Sequence, residues 1–390
     1  MKFIDFFAGI GGFRRGMELA GHECVGFCEF DKFATASYIS MHLLTEEQRK
    51  TLEDIPIKKR QKEILKEEYR NGEWYANDIR RVYAGDIPKA DCWCFGFPCQ
   101  DISVAGKQAG FQGNRSSLFF RVMYLVGQLK EEDKPTYLFI ENVKNLLSVN
   151  GGWDFARLLI EMDRAGYDAE WQVLNSKDFG VPQNRERCFI IGHLRGRSTS
   201  KVFPIEGTDG KNSVSLNLFG CLNGRNSQRD RVYSDDGLAP TISTKPGGNT
   251  EPKIAIPVLT PDRAEKRQNG RRFKDNGEPM FTLTRADIHG VAIEPTGFNC
   301  VPNRTCSQGI FVQVSEELTI YAVWYEKYQC YIAIRKLTPR ECFRLQGWSD
   351  DYFEKAQFVN SDSQLYKQAG NGVTVTVIET IARKMNVNLN

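Results

Sequence analysis

The chain has 390 residues, of which 41% are apolar and 26% charged, and a net charge of +3. That length buries a full core in one large domain or two ordinary ones, and the composition excludes a disordered chain or a membrane protein. The small net charge excludes a polyanion-binding surface spread over the whole molecule, so any contact with nucleic acid must be local.

In chain order, residues 2–7 read as a buried strand, Gly9-Ile10-Gly11-Gly12 as a glycine loop, and the following stretch as an amphipathic helix ending near Gly21. The first run is interrupted by Asp5 and followed by Arg14-Arg15, unlike a signal peptide, so a cytoplasmic protein is expected. Residues 23–29 form a second strand. From 43 to 72 the chain is dense in Glu, Lys, Arg and Gln, with Leu and Ile at helical spacing and a break at Pro56. That pattern predicts a charged insertion of two solvated surface helices.

Apolar runs at 91–97, 136–141, 168–174 and 187–194 read as further strands, and helical patterns at 117–130 and 153–165 lie between some of them. Alternating strands and helices predict an α/β fold with a mostly parallel, doubly wound sheet over residues 1–195, its ligands at the carboxyl ends of the strands. After about 196 the composition shifts to Gly, Asn, Ser, Thr and Pro with short alternating strands, which predicts a smaller, irregular β-rich domain at 196–334. Within it, Gln228 to Gly237 is echoed by Gln268 to Gly277, each copy expected to form a hairpin turning at Asp-Gly or Asn-Gly. The echo fits a duplicated DNA-reading hairpin or a plain structural repeat. Thr338 is a suitable N-cap for a helix beginning at Pro339, so the segment 335–390 is expected to return to the first domain.

The eleven cysteines are an odd number scattered through the chain, and most are expected to be reduced core thiols. Cys92 and Cys94 are too close together for a zinc knuckle, and no metal is expected. Cys99 is different. It follows Phe95-Gly96-Phe97-Pro98 at the end of an apolar strand and precedes Gln100, and Glu141-Asn142-Val143 ends the next apolar strand. Together they offer a nucleophile and an acid.

Six further motifs surround that pair: Asp5-Phe6-Phe7-Ala8-Gly9-Ile10-Gly11-Gly12, Glu29, Asn77-Asp78-Ile79, Gln183-Asn184-Arg185-Glu186-Arg187, Arg335 to Glu341, and Gln368-Ala369-Gly370-Asn371-Gly372-Val373. In this order, spanning nearly the whole chain, they resemble those of a bacterial or phage DNA (cytosine-5)-methyltransferase. The resemblance implies a Rossmann-like domain that binds S-adenosylmethionine, a target-recognition domain at 196–334, double-stranded DNA as substrate, and a monomer. A cognate restriction endonuclease acting separately is a possible partner.

Cytosine carbon 5 is a poor nucleophile, and addition of a thiolate at carbon 6 turns the ring into an enamine. A free thiol has a pKa of about 8.5, so a nearby base or positive charge must assist it. By resemblance, Cys99 attacks carbon 6, Glu141 assists at the ring nitrogen, and Arg185 and Arg187, two apart on one face of an extended segment, lie near the base and Glu141. Asn142 positions the loop.

The glycine loop lacks the G-x-G-x-x-G spacing of dinucleotide sites, which disfavours a dehydrogenase. The resemblance instead sets Phe7 against adenine, Gly9, Gly11 and Gly12 around the methionine part, Glu29 on the ribose, and Asp78 on the adenine amine in preference to Asp86. Phe30, Ile79, Pro98, Leu118 and Asn371 complete the pocket.

The stretch from Gln100 to Arg115 carries Gly106, Gly110 and Gly113 and reads as a mobile loop, which the resemblance makes a lid that closes on DNA. Gln100, Ser103, Gln112 and Arg115 are candidate DNA contacts there, around a target base rotated out of the duplex. In the small domain Arg231 and the basic run containing Arg271 and Arg272 are candidate phosphate contacts. A transfer-RNA cytosine methyltransferase would have a much shorter segment between Arg187 and Arg335. An inactive DNA-binding homologue would be expected to lose Cys99 or Glu141.

Overall fold

The computed structural model describes residues 1–97, 118–207 and 337–385, together with the strand backbones at 218–221, 231–233, 290–293, 309–313, 319–325 and 330–336. Strands β1 (Lys2–Phe6), β2 (Glu23–Cys28), β3 (Trp74–Ala76), β4 (Cys92–Phe95), β5 (Tyr137–Val143), β6 (Tyr167–Asn175) and β7 (Glu186–Leu194) form one sheet in the order β3-β2-β1-β4-β5-β7-β6. The first five are mutually parallel, and β7 runs antiparallel to both β5 and β6. The strand order reverses between β1 and β4, and at such a switch point the loops leaving the two strands part and open a crevice.

Alternation along the central strands explains their nearly continuous apolar sequence, because both faces are covered. Ile4, Phe6, Trp93, Phe95, Leu138 and Ile140 face a core shared with helices α5 (Leu118–Gln128) and α6 (Trp153–Arg164). Phe3, Cys92, Cys94, Tyr137 and Phe139 face the opposite core, shared with α1 (Gly12–Leu19) and α10 (Val375–Ala382). The last helix therefore packs on the first. Gly16 makes this close approach possible, since a Cβ there would lie 2.5 Å from that of Ile378. Val202, Phe203 and Ile205 are buried in the same core, so the chain stays on the sheet beyond the end of β7.

Helix α2 (Lys32–His42) follows β2, and the charged stretch after it forms α3 (Glu46–Glu53) and α4 (Ile57–Glu63). Thr45 and Gln48 close a capping box at the start of α3. Leu52, Ile64 and Tyr69 are buried against the side of the fold that holds Tyr38 and Ile39. Arg60 donates to the Phe358 carbonyl at 2.7 Å, which braces the insertion against the C-terminal segment. Strand β3 has no counterpart in the sequence reading: three residues at a sheet edge carry too little periodicity, and Trp74 is held there by its edge-on contact with Phe6.

Strands β10 (Gly290–Ile293), β11 (Gly309–Gln313), β12 (Thr319–Tyr325) and β13 (Cys330–Lys336) make a separate antiparallel sheet, and β8 (Leu218–Cys221) pairs with β9 (Arg231–Tyr233). The first repeat copy contributes β9, while its Asp236-Gly237 turn and the whole second copy, with Arg271 and Arg272, lie outside the described residues. Helices α7 (Pro339–Leu345), α8 (Asp350–Gln357) and α9 (Asp362–Asn371) precede α10, and Thr338 caps α7 in a capping box with Glu341. Among the described residues no helix is long and apolar enough to cross a membrane.

Candidate active site

Because β1, β2, β4 and β5 are parallel, the residues that follow them reach one edge of the sheet: Phe7 to Gly12, Glu29, Gly96 and Phe97, and, at the end of β5 itself, Glu141. The antiparallel β7 begins where β5 ends, with Arg187 opposite Val143. Reversal of that one strand thus brings a cation to an edge otherwise built from strand ends.

Glu141 and Arg187 are both mostly buried, and Arg187 Nε lies 2.9 Å from Glu141 Oε1. Gly96 stands behind the other carboxylate oxygen, where a Cβ would come within 3.0 Å of Oε2. The carboxylate is therefore held from two sides, by a charge-assisted hydrogen bond and by backbone with no room for a side chain. Asn142 is almost fully buried. Its Nδ2 donates to the Phe97 carbonyl at 3.0 Å and its Oδ1 accepts from Val143 N–H at 2.9 Å, which ties the end of β5 to the chain leaving β4. Cys99 follows Phe97 by two residues. With Pro98, Gln100, Ser103, Gln112 and Arg115, it lies outside the described residues.

The two arginines diverge. Arg187 grips Glu141, whereas Arg185 is buried just before β7, receives its backbone hold from Asn175 Oδ1 at 2.9 Å, and donates from Nη2 to the Gly372 carbonyl at 2.7 Å. Equal facing along an extended segment did not foretell this difference, because the C-terminal loop that Arg185 meets is remote in sequence.

On the other side of the crevice the backbone does most of the shaping. Phe7 adopts φ +55°, a left-handed conformation rare for an aromatic residue, and Gly9 and Gly11 follow at +56° and +84°. A Cβ on Gly11 would lie 2.4 Å from His42 Nε2 and one on Gly12 2.6 Å from Val373 Cγ2, but at Gly9 nothing lies within 4 Å. The loop is packed behind and open in front. Glu29 accepts from Gly9 N–H at 2.8 Å and Asp31 N–H at 2.7 Å, while burial pushes its pKa up. Phe30 is 74% exposed, with the Arg80 guanidinium 5.7 Å from its ring centre.

Asp78 follows β3 and caps the short helical turn Ile79–Arg81, accepting from Arg80 N–H at 3.0 Å and from its Nη2 at 2.8 Å. The Arg80 hydrogen bond holds the Asp78 carboxyl below the usual range. Asp86 is exposed. Ile79 is buried in the core, Leu118 is half-buried at the start of α5, and Asn371 is exposed at the end of α9.

The described cysteines are all free thiols. Burial pushes Cys188 up to about 12 and Cys94 well above its usual value, as suits inert core groups. The sequence reading places Gly96 and Asp5 within motifs without a role for either, and does not single out Asn175. Gly96 stands in the same run as Cys99 and was discoverable there; Asn175 carries no local signal.

A family model described as C-5 cytosine-specific DNA methylase matches residues 1–387. The chain belongs to that family and is an enzyme, a DNA cytosine-5 methyltransferase. It is 31% identical to the orphan methyltransferase M.SPBetaI of Bacillus phage SPbeta, an alignment covering 99% of this chain and 97% of the phage protein. With the type II methyltransferase M.HhaI of Haemophilus parahaemolyticus it shares 30% identity, over 100% of this chain and 95% of the relative. Among solved structures, the Entamoeba histolytica methyltransferase EhMeth has the same fold at a TM-score of 0.52 and 16% identity, covering 97% of this chain and 96% of that one. S. pombe Dnmt2 methyltransferase also gives 0.52, at 14% identity, over 98% and 97% of the two chains.

Proposed function

We propose that this enzyme methylates carbon 5 of cytosine within a specific short sequence of double-stranded DNA, using S-adenosylmethionine and a covalent adduct to Cys99. The observation that carries the reading is the fixed Glu141 carboxylate, held by Arg187 and backed by Gly96, at the strand edge from which the chain runs on to Cys99.

The Cys99 thiolate adds to carbon 6 of a cytosine rotated out of the helix, and the electron pair of the carbon 5–carbon 6 double bond becomes available at carbon 5. Glu141 stabilises the charge that develops on the ring by hydrogen bonding or protonation at its nitrogen. Arg187 keeps Glu141 oriented, and Arg185 lines the base side. S-adenosylmethionine supplies the electrophilic methyl group. Water or hydroxide then takes the proton from carbon 5, the double bond reforms, and Cys99 leaves as thiolate.

The open face of Gly9 supports this cofactor, since nothing lies within 4 Å of a Cβ placed there and its N–H holds Glu29 beside the loop. Glu29 would hold the ribose hydroxyls, Phe7 and Phe30 the adenine faces, and Asp78 the adenine amine once Arg80 shares it. Gly11, Gly12, Ile79, Pro98, Leu118 and Asn371 bound the same site. Residues 196–334 would read DNA, with Arg231, Arg271 and Arg272 on phosphates and Gln100, Ser103, Gln112 and Arg115 around the target. The enzyme would work as a cytoplasmic monomer, either beside a separate endonuclease or as an orphan methylase.

Base-resolution methylation sequencing of DNA from a methylase-free bacterial host expressing the chain tests this reading. Methylated cytosines confined to one short motif, and absent with Cys99→Ala, are the expected result. No methylation from a folded, cofactor-binding protein would overturn it.

A further inference from the structure

The loop between α9 and α10 touches both sides of the crevice. Asn371 ends α9, the Gly372 carbonyl accepts from Arg185, and Val373 packs so closely on Gly12 of the glycine loop that no side chain fits between them. Its hold on the rest of the molecule is a buried polar network centred on Gln346, just after α7. Gln346 is fully buried; its Nε2 donates to the Ala369 carbonyl at 2.7 Å, its Oε1 accepts from Thr374 Oγ1 at 2.9 Å, and its backbone carbonyl accepts from Val375 N–H at 3.0 Å. Thr374 Oγ1 lies 2.8 Å from Ser176 Oγ, next to Asn175, whose side chain holds the Arg185 backbone. Gln183, also fully buried, donates to the Leu345 carbonyl at 3.1 Å.

We propose that Gln346 is a positioning residue for methyl transfer: by fixing both ends of the segment 369–375 it sets the Gly372 carbonyl against Arg185 and Val373 against the glycine loop, so that the base side and the methyl-donor side keep one spacing. The inference rests on the assignment of Arg185 to the base side and of the glycine loop to S-adenosylmethionine. A buried amide bonded at both ends has one arrangement available, and its neighbours inherit that rigidity. Methyl transfer needs such fixity, because an error on the order of 1 Å between reacting groups costs about a hundredfold in rate.

The test uses Gln346→Leu, which keeps the side-chain bulk, and the pair Thr374→Val and Thr374→Ser, which differ in the hydroxyl that Gln346 receives. Single-turnover transfer of labelled methyl from S-adenosylmethionine to plasmid DNA from a methylase-free host is measured with S-adenosylmethionine affinity and thermal midpoint. Gln346→Leu and Thr374→Val should slow transfer at least tenfold with cofactor affinity changed no more than about threefold, and Thr374→Ser should stay within about threefold of the natural rate. Equal rates for the Val and Ser variants, or stability losses with the single-turnover rate intact, would overturn the proposal. Arg185→Lys separates the two levels. If it transfers methyl at the natural rate, the assignment of Arg185 has failed; if it is slow while Gln346→Leu is not, the positioning role has failed.

Discussion

The two sides of the crevice are built by different means. On the side of Glu141, polar side chains are fixed by one another and by backbone carbonyls: Glu141 by Arg187, Asn142 by the Phe97 carbonyl, and Arg185 by Asn175 and the Gly372 carbonyl. On the other side the backbone does the work, through positive φ at Phe7, Gly9 and Gly11, and the most prominent side chain, Phe30, stands exposed. A group that must steady a developing charge needs to be held in place before the substrate arrives, because reorganising it during reaction would consume the stabilisation it offers. A pocket for a large cofactor needs space first, and curved backbone supplies space without filling it.

The contrast is most directly broken at Glu141. Glu141→Gln should lower turnover by about 10²–10⁴-fold, measured by methyl incorporation into DNA, while calorimetry shows S-adenosylmethionine binding nearly unchanged. A parallel loss of cofactor affinity would mean the two sides are not separate. Arg187→Ala should be costly in another currency, since it strands a mostly buried carboxylate. Urea unfolding should register a loss of about 3–5 kcal/mol, and a loss under about 1 kcal/mol would show that water reaches Glu141 in place of the arginine.

Gly96→Ala presses a methyl group on Glu141 Oε2, which Arg187 keeps from swinging away. Turnover should fall on the order of tenfold with cofactor affinity preserved, and full activity would show that the carboxylate yields easily. Phe30→Ala sharpens the comparison from the opposite side. Stability should stay within about 0.5 kcal/mol, whereas cofactor affinity should drop by up to about tenfold; unchanged affinity would remove Phe30 from the pocket.

The smallest effect concerns Asp5, fully buried in β1, where burial raises its carboxyl pKa well above the usual value against the opposing hydrogen bond and charge of Arg14. A raised folded pKa gives stability that is complete below the unfolded value, about 4, and is lost as pH rises through the folded one. Asp5→Asn should therefore flatten the decline of unfolding free energy as pH rises above about 4. A slope identical to the natural protein would show that Asp5 remains ionised.

The sequence by itself determined the class of fold and the order of its motifs. Near-continuous apolar runs at β1, β4 and β5 can only be strands covered on both faces, and the capping box at Thr338 marks a helix start within four residues. Glu141 at the end of β5 and the glycine loop after β1 were placed from sequence because each stands in a short, local signature. What only the tertiary structure decided is which groups meet. Arg185 and Arg187 look equivalent in an extended segment, yet one meets a strand end paired beside it and the other a loop 187 residues away. Likewise the approach of α10 to α1, the brace from Arg60 to Phe358 and the contact of Ser176 with Thr374 depend on the chain's return from its second sheet. Local sequence specifies backbone preference and burial. It carries no information on the partner of a buried polar group, since that partner is chosen by packing among residues tens to hundreds of positions apart.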